Sequence, residues 1–176
     1  MSIVFVAGNM LNSPKKVIAH GCNCLGFMGA GIAKSIRDIY PKEMMDKYEE
    51  LCKTSKIEEI EGTIQVYETP NLPILVNMFT QRTIWGQVPA SLDLIDKSCR
   101  ALLKWALDNK IEEVAMPAIG AGLGGLNMED VKLTVAKIFA PSKVRLVFYE
   151  FFEPLTSCRV IQAVSGPVDS FEDIAR

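Results

Sequence analysis

Val17-Ile18-Ala19-His20-Gly21-Cys22-Asn23-Cys24-Leu25-Gly26-Phe27-Met28-Gly29-Ala30-Gly31-Ile32 is the stretch on which the fold turns. Val17 to Ala19 is a short apolar run of the kind that forms a strand covered on both faces. Beyond it lies a loop rich in glycine. The stretch then opens a helical pattern, with Ile32, Ile36 and Ile39 on one face until Pro41 interrupts it. A strand, a glycine loop and a helix in succession read as an α/β unit.

Outward from this unit the same alternation recurs. Ile3 to Ala7, Ile74 to Phe79 and Val144 to Tyr149 are strand-like, and Glu43 to Cys52 reads as a second helix. Ser91 to Asn109 lines up Leu92, Ile95, Cys99, Leu102 and Ala106 along one helical stripe. Asn127 to Phe139 starts at a capping asparagine, with Asp130 three residues on. A second glycine loop precedes that helix: Pro117-Ala118-Ile119-Gly120-Ala121-Gly122-Leu123-Gly124-Gly125-Leu126. Strands alternating with helices predict an α/β fold, a mixed or parallel sheet with helices on both faces. There is no repeat, linker or low-complexity segment. One domain over residues 1–152 explains the pattern, and residues 153–176, with Ser165-Gly166-Pro167, read as a polar C-terminal extension.

Composition limits what such a domain does. The chain has 176 residues, 49% hydrophobic and 23% charged, with 19 Lys+Arg against 21 Asp+Glu for a net charge of −2. This slight acidity argues against a nucleic-acid surface built on clustered positive charge. The five cysteines (Cys22, Cys24, Cys52, Cys99 and Cys158) are odd in number, and the first residues show no signal-peptide pattern, so a reducing cytoplasm is expected instead of a disulfide framework. No apolar run approaches the roughly 20 residues of a membrane span. A single histidine excludes a His-rich metal site.

Chemistry is expected at the glycine loops. A strand–glycine loop–helix unit aims backbone N–H groups outward, the helix dipole adds positive potential, and glycine lets an anion approach closely. Two such loops at neighbouring strand ends make a cleft able to hold a diphosphate by amides alone, with no basic surface. The bland reading is a pair of tight turns. Gly120, Gly122 and Gly125 also fit G-x-G-x-x-G, which invites a dinucleotide-binding reading with NAD. Against it, the motif comes late in the chain, and Lys143 and Arg145 stand where a ribose-binding acid is expected.

Taken together, Gly8-Asn9, His20-Gly21-Cys22-Asn23-Cys24, Met28-Gly29-Ala30-Gly31-Ile32-Ala33 and the loop from Pro117 to Leu126 resemble the macrodomain, an ADP-ribose-binding module, over roughly residues 3–150. The resemblance implies a three-layer α/β/α sandwich on a mixed, mostly parallel sheet. It implies that Asn9 meets the adenine, where many members carry aspartate, and that Asn23 contacts the distal ribose. Gly29, Ala30, Gly31 and Ile32 then match the first diphosphate loop, and Ile119, Gly120, Ala121, Gly122, Leu123 and Gly124 the second. Thr80 falls among the ligand-binding positions, and Tyr149 lies where an aromatic ring often meets adenine; its alternative is a strand-end core residue. No metal or redox cofactor is implied.

Two branches come nearest. In the terminal ADP-ribose protein glycohydrolase-like branch a lysine and an aspartate do the chemistry, and the matching positions here are Gln81 and Gly124, which offer neither nucleophile nor acid. The ADP-ribose 1''-phosphate phosphatase branch resembles the chain at His20-x-Cys22-Asn23-Cys24 and Phe79-Thr80. His20, placed just after the second strand, is the acid–base candidate there; its alternative is a histidine that only hydrogen-bonds at a strand end. Cys22 and Cys24 are read as packing residues, with nucleophile or metal ligand as the alternative. Thr80 to Gln87, with Arg82 and Trp85, is a loop that covers the ligand, meets a phosphate, or is simply solvated. The expected activity is removal of the phosphate of ADP-ribose 1''-phosphate. The alternatives are a non-catalytic reader of ADP-ribose or a related cyclic nucleotide, and a hydrolase of ADP-ribosylated macromolecules.

Overall fold

A computed structural model describes residues 2–12, 15–86 and 89–150. Six strands form one sheet: β1 (Ile3–Val6), β2 (Val17–Asn23), β3 (Ile64–Tyr67), β4 (Ile74–Gln81), β5 (Glu113–Pro117) and β6 (Arg145–Tyr149), in the order β1-β6-β5-β2-β4-β3. All neighbours are parallel except the edge strand β3, antiparallel to β4. Five helices accompany them: α1 (Gly31–Ile39), α2 (Lys42–Thr54), the single turn α3 (Ile57–Ile60), α4 (Leu92–Asp108) and α5 (Met128–Phe139).

The period-two alternation of the strands divides the interior into two cores. Ile18, Leu75 and Phe79 face Ile36, Tyr40, Met44 and Tyr48 of α1, α2 and the residue between them. Val17, Ala19, Val76 and Met78 face Ile95, Cys99, Leu102 and Ala106 of α4 and Val131, Val135 and Phe139 of α5. Helices therefore cover both faces, which makes the three-layer α/β/α sandwich on a mixed, mostly parallel sheet that the sequence predicts. Pro41 ends the α1 pattern as predicted, and Ser91 caps α4 by accepting from the Leu94 amide.

Two boundaries differ from the sequence reading. The strand β2 does not stop at Ala19; it runs on to Asn23, in parallel register with β4 as His20↔Asn77, Gly21↔Met78 and Cys22↔Phe79. The edge strand β3 is not in the sequence reading; it is only four residues long, and Gln65 interrupts its apolar residues. The expected boundary at 152 and the extension 153–176 lie outside the described residues, as does Cys158.

Candidate functional site

Parallel β2 and β5 are neighbours, so the loops after Asn23 and Pro117 leave the sheet at the same end. From β2 the chain proceeds to α1 and α2 over one face, and from β5 to α5 over the other. A crevice opens at such a switch point, outside the carboxyl ends of the strands. The two loops meet there: a Cβ on Gly31 would lie 3.6 Å from Leu123 Cδ1.

The crevice is furnished with main-chain donors. Among the described residues, the amides of Gly29, Ala30, Gly31, Ile32 and Ala33 in the first loop have no hydrogen-bond acceptor, nor do those of Gly120, Gly122, Leu123 and Gly124 in the second. Ala30, the N-cap of α1, has an extended backbone and offers no side-chain cap. The contrast with α5 is direct, because there Asn127 Oδ1 accepts from Glu129 and Asp130. The first turn of α1 therefore presents bare N–H groups and the positive end of the helix dipole.

The glycines of these loops divide into two kinds. A Cβ on Gly120 (φ +72°) would strike Ile95 and Leu126 at 2.9 Å, so that glycine serves the fold. Gly29 and Gly122 have ordinary φ, and a Cβ on either would meet nothing within 4 Å. The fold does not require glycine at these two positions, both of which are exposed.

Asn23 organises the first loop. Its Oδ1 accepts from the amides of Leu25 (3.0 Å) and Phe27 (3.2 Å), its Nδ2 donates to the Phe27 carbonyl (2.7 Å), and Tyr48 Oη donates to its backbone carbonyl at 2.7 Å and lies 3.1 Å from Oδ1. Tyr48, contributed by α2, carries no local sequence signal of this role; only the tertiary contact reveals it.

Several predicted residues occupy other places than expected. His20 does not open the loop. It is the fourth residue of β2, fully buried, with Nε2 2.7 Å from Asn77 Oδ1 of the paired strand. Asn77 Nδ2 donates in turn to Gln65 Oε1 (3.2 Å), and Gln65 to the Lys47 carbonyl (3.2 Å). With its Oδ1 thus an acceptor, Asn77 fixes His20 as the neutral tautomer protonated at Nε2. Burial lowers the His20 pKa to about 4, against the opposing pull of the Asn77 hydrogen bond. The Nε2 proton is engaged by Asn77, and the ring is out of contact with solvent.

Tyr149 is likewise fully buried at the end of β6, so it offers no face to an adenine. Thr80 is buried beneath the crevice; a Cβ on Gly21 would lie 2.6 Å from its Oγ1, so the strand pair needs glycine there. Ile119 packs in the α4–α5 core and spends its amide on the Pro117 carbonyl (2.7 Å), and Ala121 spends its own on Ala118 (3.3 Å). Asn9, at the edge of burial, accepts from the Leu11 amide (2.9 Å) through Oδ1.

The cysteines near the first loop are held as thiols. Burial pushes the Cys22 thiol well up, and it pushes Cys24 to about 12 and Cys52 to about 11, with the neighbouring thiols adding to the shift of Cys22 and Cys24. No group of residues fit to hold a metal occurs among the described residues. Arg82 is held by Glu58 (2.6 Å) and Glu61 (3.1 Å). A surface cavity of about 580 Å3 is lined by Asp46, Lys47, Glu50, Leu51, Thr54 and Gln65, none of them from the glycine loops. No helix among the described residues is long and apolar enough to cross a membrane.

Comparison with known proteins places this geometry. The chain is 30% identical over 166 residues to the DNA ADP-ribosyl glycohydrolase of Mycobacterium tuberculosis, which covers 93% of this chain and 46% of that protein; the chain spans about half the length of the curated relatives it matches. Its fold superposes on the macrodomain of Mycobacterium tuberculosis DarG with a TM-score of 0.73 at 30% identity, covering 84% of this chain and 96% of that one. Thermosipho africanus DarTG in complex with ADP-ribose gives a TM-score of 0.74 at 19% identity, covering 85% and 41%, a likeness of fold alone. The family model of the Macro domain matches residues 19–135, from β2 and the first glycine loop through the second and into α5, and by that match this chain belongs to the Macro domain family.

Proposed function

We propose that this chain binds ADP-ribose across its two glycine loops, as the ADP-ribosyl group of a modified macromolecule, and releases that group by hydrolysis. The observation that carries the binding is the set of unengaged amides on two loops that touch. A diphosphate is the fragment whose charge and size suit donors spread over a helix N-terminus and an opposed turn. The open space at Gly29 and Gly122 is where its oxygens approach the backbone. Adenosine and the distal ribose then extend to either side, and Asn23 acts by shaping the first loop.

Hydrolysis is supported by the relatives, which are DNA ADP-ribosyl glycohydrolases. Glycosidic cleavage passes through an oxocarbenium-like transition state, for which fixing the sugar and an attacking water supplies much of the rate. The residues here orient more than they transfer protons. Gln81 is a half-buried carboxamide whose Nε2 donates to the Thr83 carbonyl (3.0 Å), Arg82 keeps its charge permanently, and Gly124 has no side chain. This lack of a proton carrier is the specific observation behind a second reading, a reader of ADP-ribosyl groups without turnover. The phosphatase reading took His20 as its acid–base group, and the burial of that residue within β2 weighs against it.

Calorimetry with ADP-ribose, ADP and AMP tests the binding: ADP-ribose is expected to bind at least tenfold tighter than AMP. Equal affinities sink the proposal. Incubation of a single-stranded oligonucleotide carrying one ADP-ribosylated base then separates the readings, since free ADP-ribose appears for a hydrolase and none for a reader.

A further inference from the structure

One residue ties the two glycine loops together through its main chain. Gln81 ends β4 in register with Asn23, which shapes the first loop. Its carbonyl accepts from the amide of Cys24 (3.0 Å), on the side of that loop. It also pairs with Ala90 in an antiparallel bridge, and the Ala90 amide donates to the Gly124 carbonyl (3.3 Å) of the second loop. Gln81 is thus fastened between the loops, at the carboxyl end of its strand. Its side chain is half-buried, and Nε2 donates to the Thr83 carbonyl (3.0 Å). A carbonyl only accepts, so the nitrogen faces Thr83 and Oε1 is the end left over. Among the described residues that oxygen has no hydrogen-bond partner.

The neighbouring polar side chains are already spent. Asn23 holds the amides of Leu25 and Phe27, Thr80 is buried, and Arg82 is gripped by Glu58 and Glu61. What remains at the junction is one uncharged acceptor whose orientation Thr83 fixes. Resting on the hydrolysis proposed above, we infer that Gln81 Oε1 accepts a hydrogen bond from the attacking water and aims it at the anomeric carbon of the ADP-ribosyl group. The water oxygen forms the new bond to that carbon. The glycosidic bond breaks, and its electron pair leaves with the macromolecule. The proton that the water sheds reaches the leaving atom by way of solvent, and the amide takes none. A carboxamide orients a water in this way without acting as a base. Holding the nucleophile in line supplies rate through position alone.

Two variants of nearly the same size divide the two ends of the side chain. Gln81→Glu keeps the acceptor and loses the donor to Thr83, whereas Gln81→Met loses both. The measurements are the single-turnover rate on the ADP-ribosylated oligonucleotide and the calorimetric affinity for ADP-ribose. Gln81→Met is expected to lower the rate by about 100-fold while affinity stays within about threefold. The wild-type rate is expected to be flat between about pH 5.5 and 8, since an amide does not titrate there. Gln81→Glu is expected to stay within about tenfold of the wild type at neutrality and to lose rate as its carboxyl is protonated toward about pH 4. An equal loss in both variants would make the Thr83 anchor the whole role and overturns the inference. An unchanged rate in Gln81→Met, or a loss of affinity as large as its loss of rate, overturns it too. A wild-type chain that binds ADP-ribose yet releases none from the oligonucleotide overturns the hydrolysis itself and this inference with it, a result distinct from the others.

Discussion

A Cβ on Gly124 would lie 2.5 Å from the carbonyl oxygen of Gly120, the two residues facing each other across the second loop. The loop closes so tightly that nothing larger than hydrogen fits. An aspartate at this position, as in the related hydrolase branch, must spread the turn that arranges the amides. Gly124→Asp is therefore expected to cost about 1–3 kcal/mol in urea unfolding and to weaken ADP-ribose at least tenfold by calorimetry. A variant that binds as the wild type does and turns over faster would show that the loop tolerates an acid after all.

Gly29→Ala and Gly122→Ala separate fold from ligand. Neither position has positive φ or a neighbour within reach of a Cβ, so thermal stability is expected to hold or rise slightly. The same methyl groups stand where the diphosphate is proposed to approach, and ADP-ribose affinity is expected to fall by roughly tenfold, about 1.4 kcal/mol. Unchanged titrations for both variants would place the ligand elsewhere.

Tyr48→Phe removes the hydroxyl that secures Asn23 without altering the packing of the ring. An unmet buried carbonyl costs about 1–3 kcal/mol, and each kcal/mol lowers the midpoint by about 2–4 °C in a domain of this size. Asn23→Ala loses the Leu25 and Phe27 anchors as well, so its ADP-ribose affinity is expected to drop further than that of Tyr48→Phe. Equal titrations for the two would deny Asn23 its part in shaping the loop.

His20 makes stability depend on pH. Its native pKa, about 4, lies below the ordinary 6.5, so the unfolded chain binds the proton between those values. Its contribution is complete above about pH 6.5, declines as the pH falls toward 4, and amounts to on the order of 3 kcal/mol. Urea midpoints at pH 7.5 and pH 5 check this, with His20→Gln expected to flatten the dependence. A variant as pH-sensitive as the wild type would assign the effect to other groups.

The sequence exposed what is written in short-range pattern. The alternation of apolar runs and helical stripes predicted the layers, and the glycine runs marked both loops. What it concealed depends on pairing across the chain. Nothing between Ala19 and Cys24 says that β2 continues, because Asn77, which draws His20 into the sheet, lies 57 residues away. Tyr48 lies within the helix read from Glu43 to Cys52, and nothing local marks its tie to Asn23. Arg82 reads as available for a phosphate, yet Glu58 and Glu61 hold it. The amides of Ile119 and Ala121 looked equivalent to those of Gly122 and Leu123, yet turn geometry spends the first pair internally and leaves the second open.

Because the cradle between the loops is made of peptide nitrogens, it has no group that gains or loses a proton near neutrality. Capture of the proposed diphosphate there is expected to hold constant from mildly acidic to mildly alkaline solution, even while the folded population changes. Side chains around the rim are then replaceable without disturbing that grip. One and the same cradle can serve a module that cuts and a module that only holds, the difference being settled by a handful of peripheral residues.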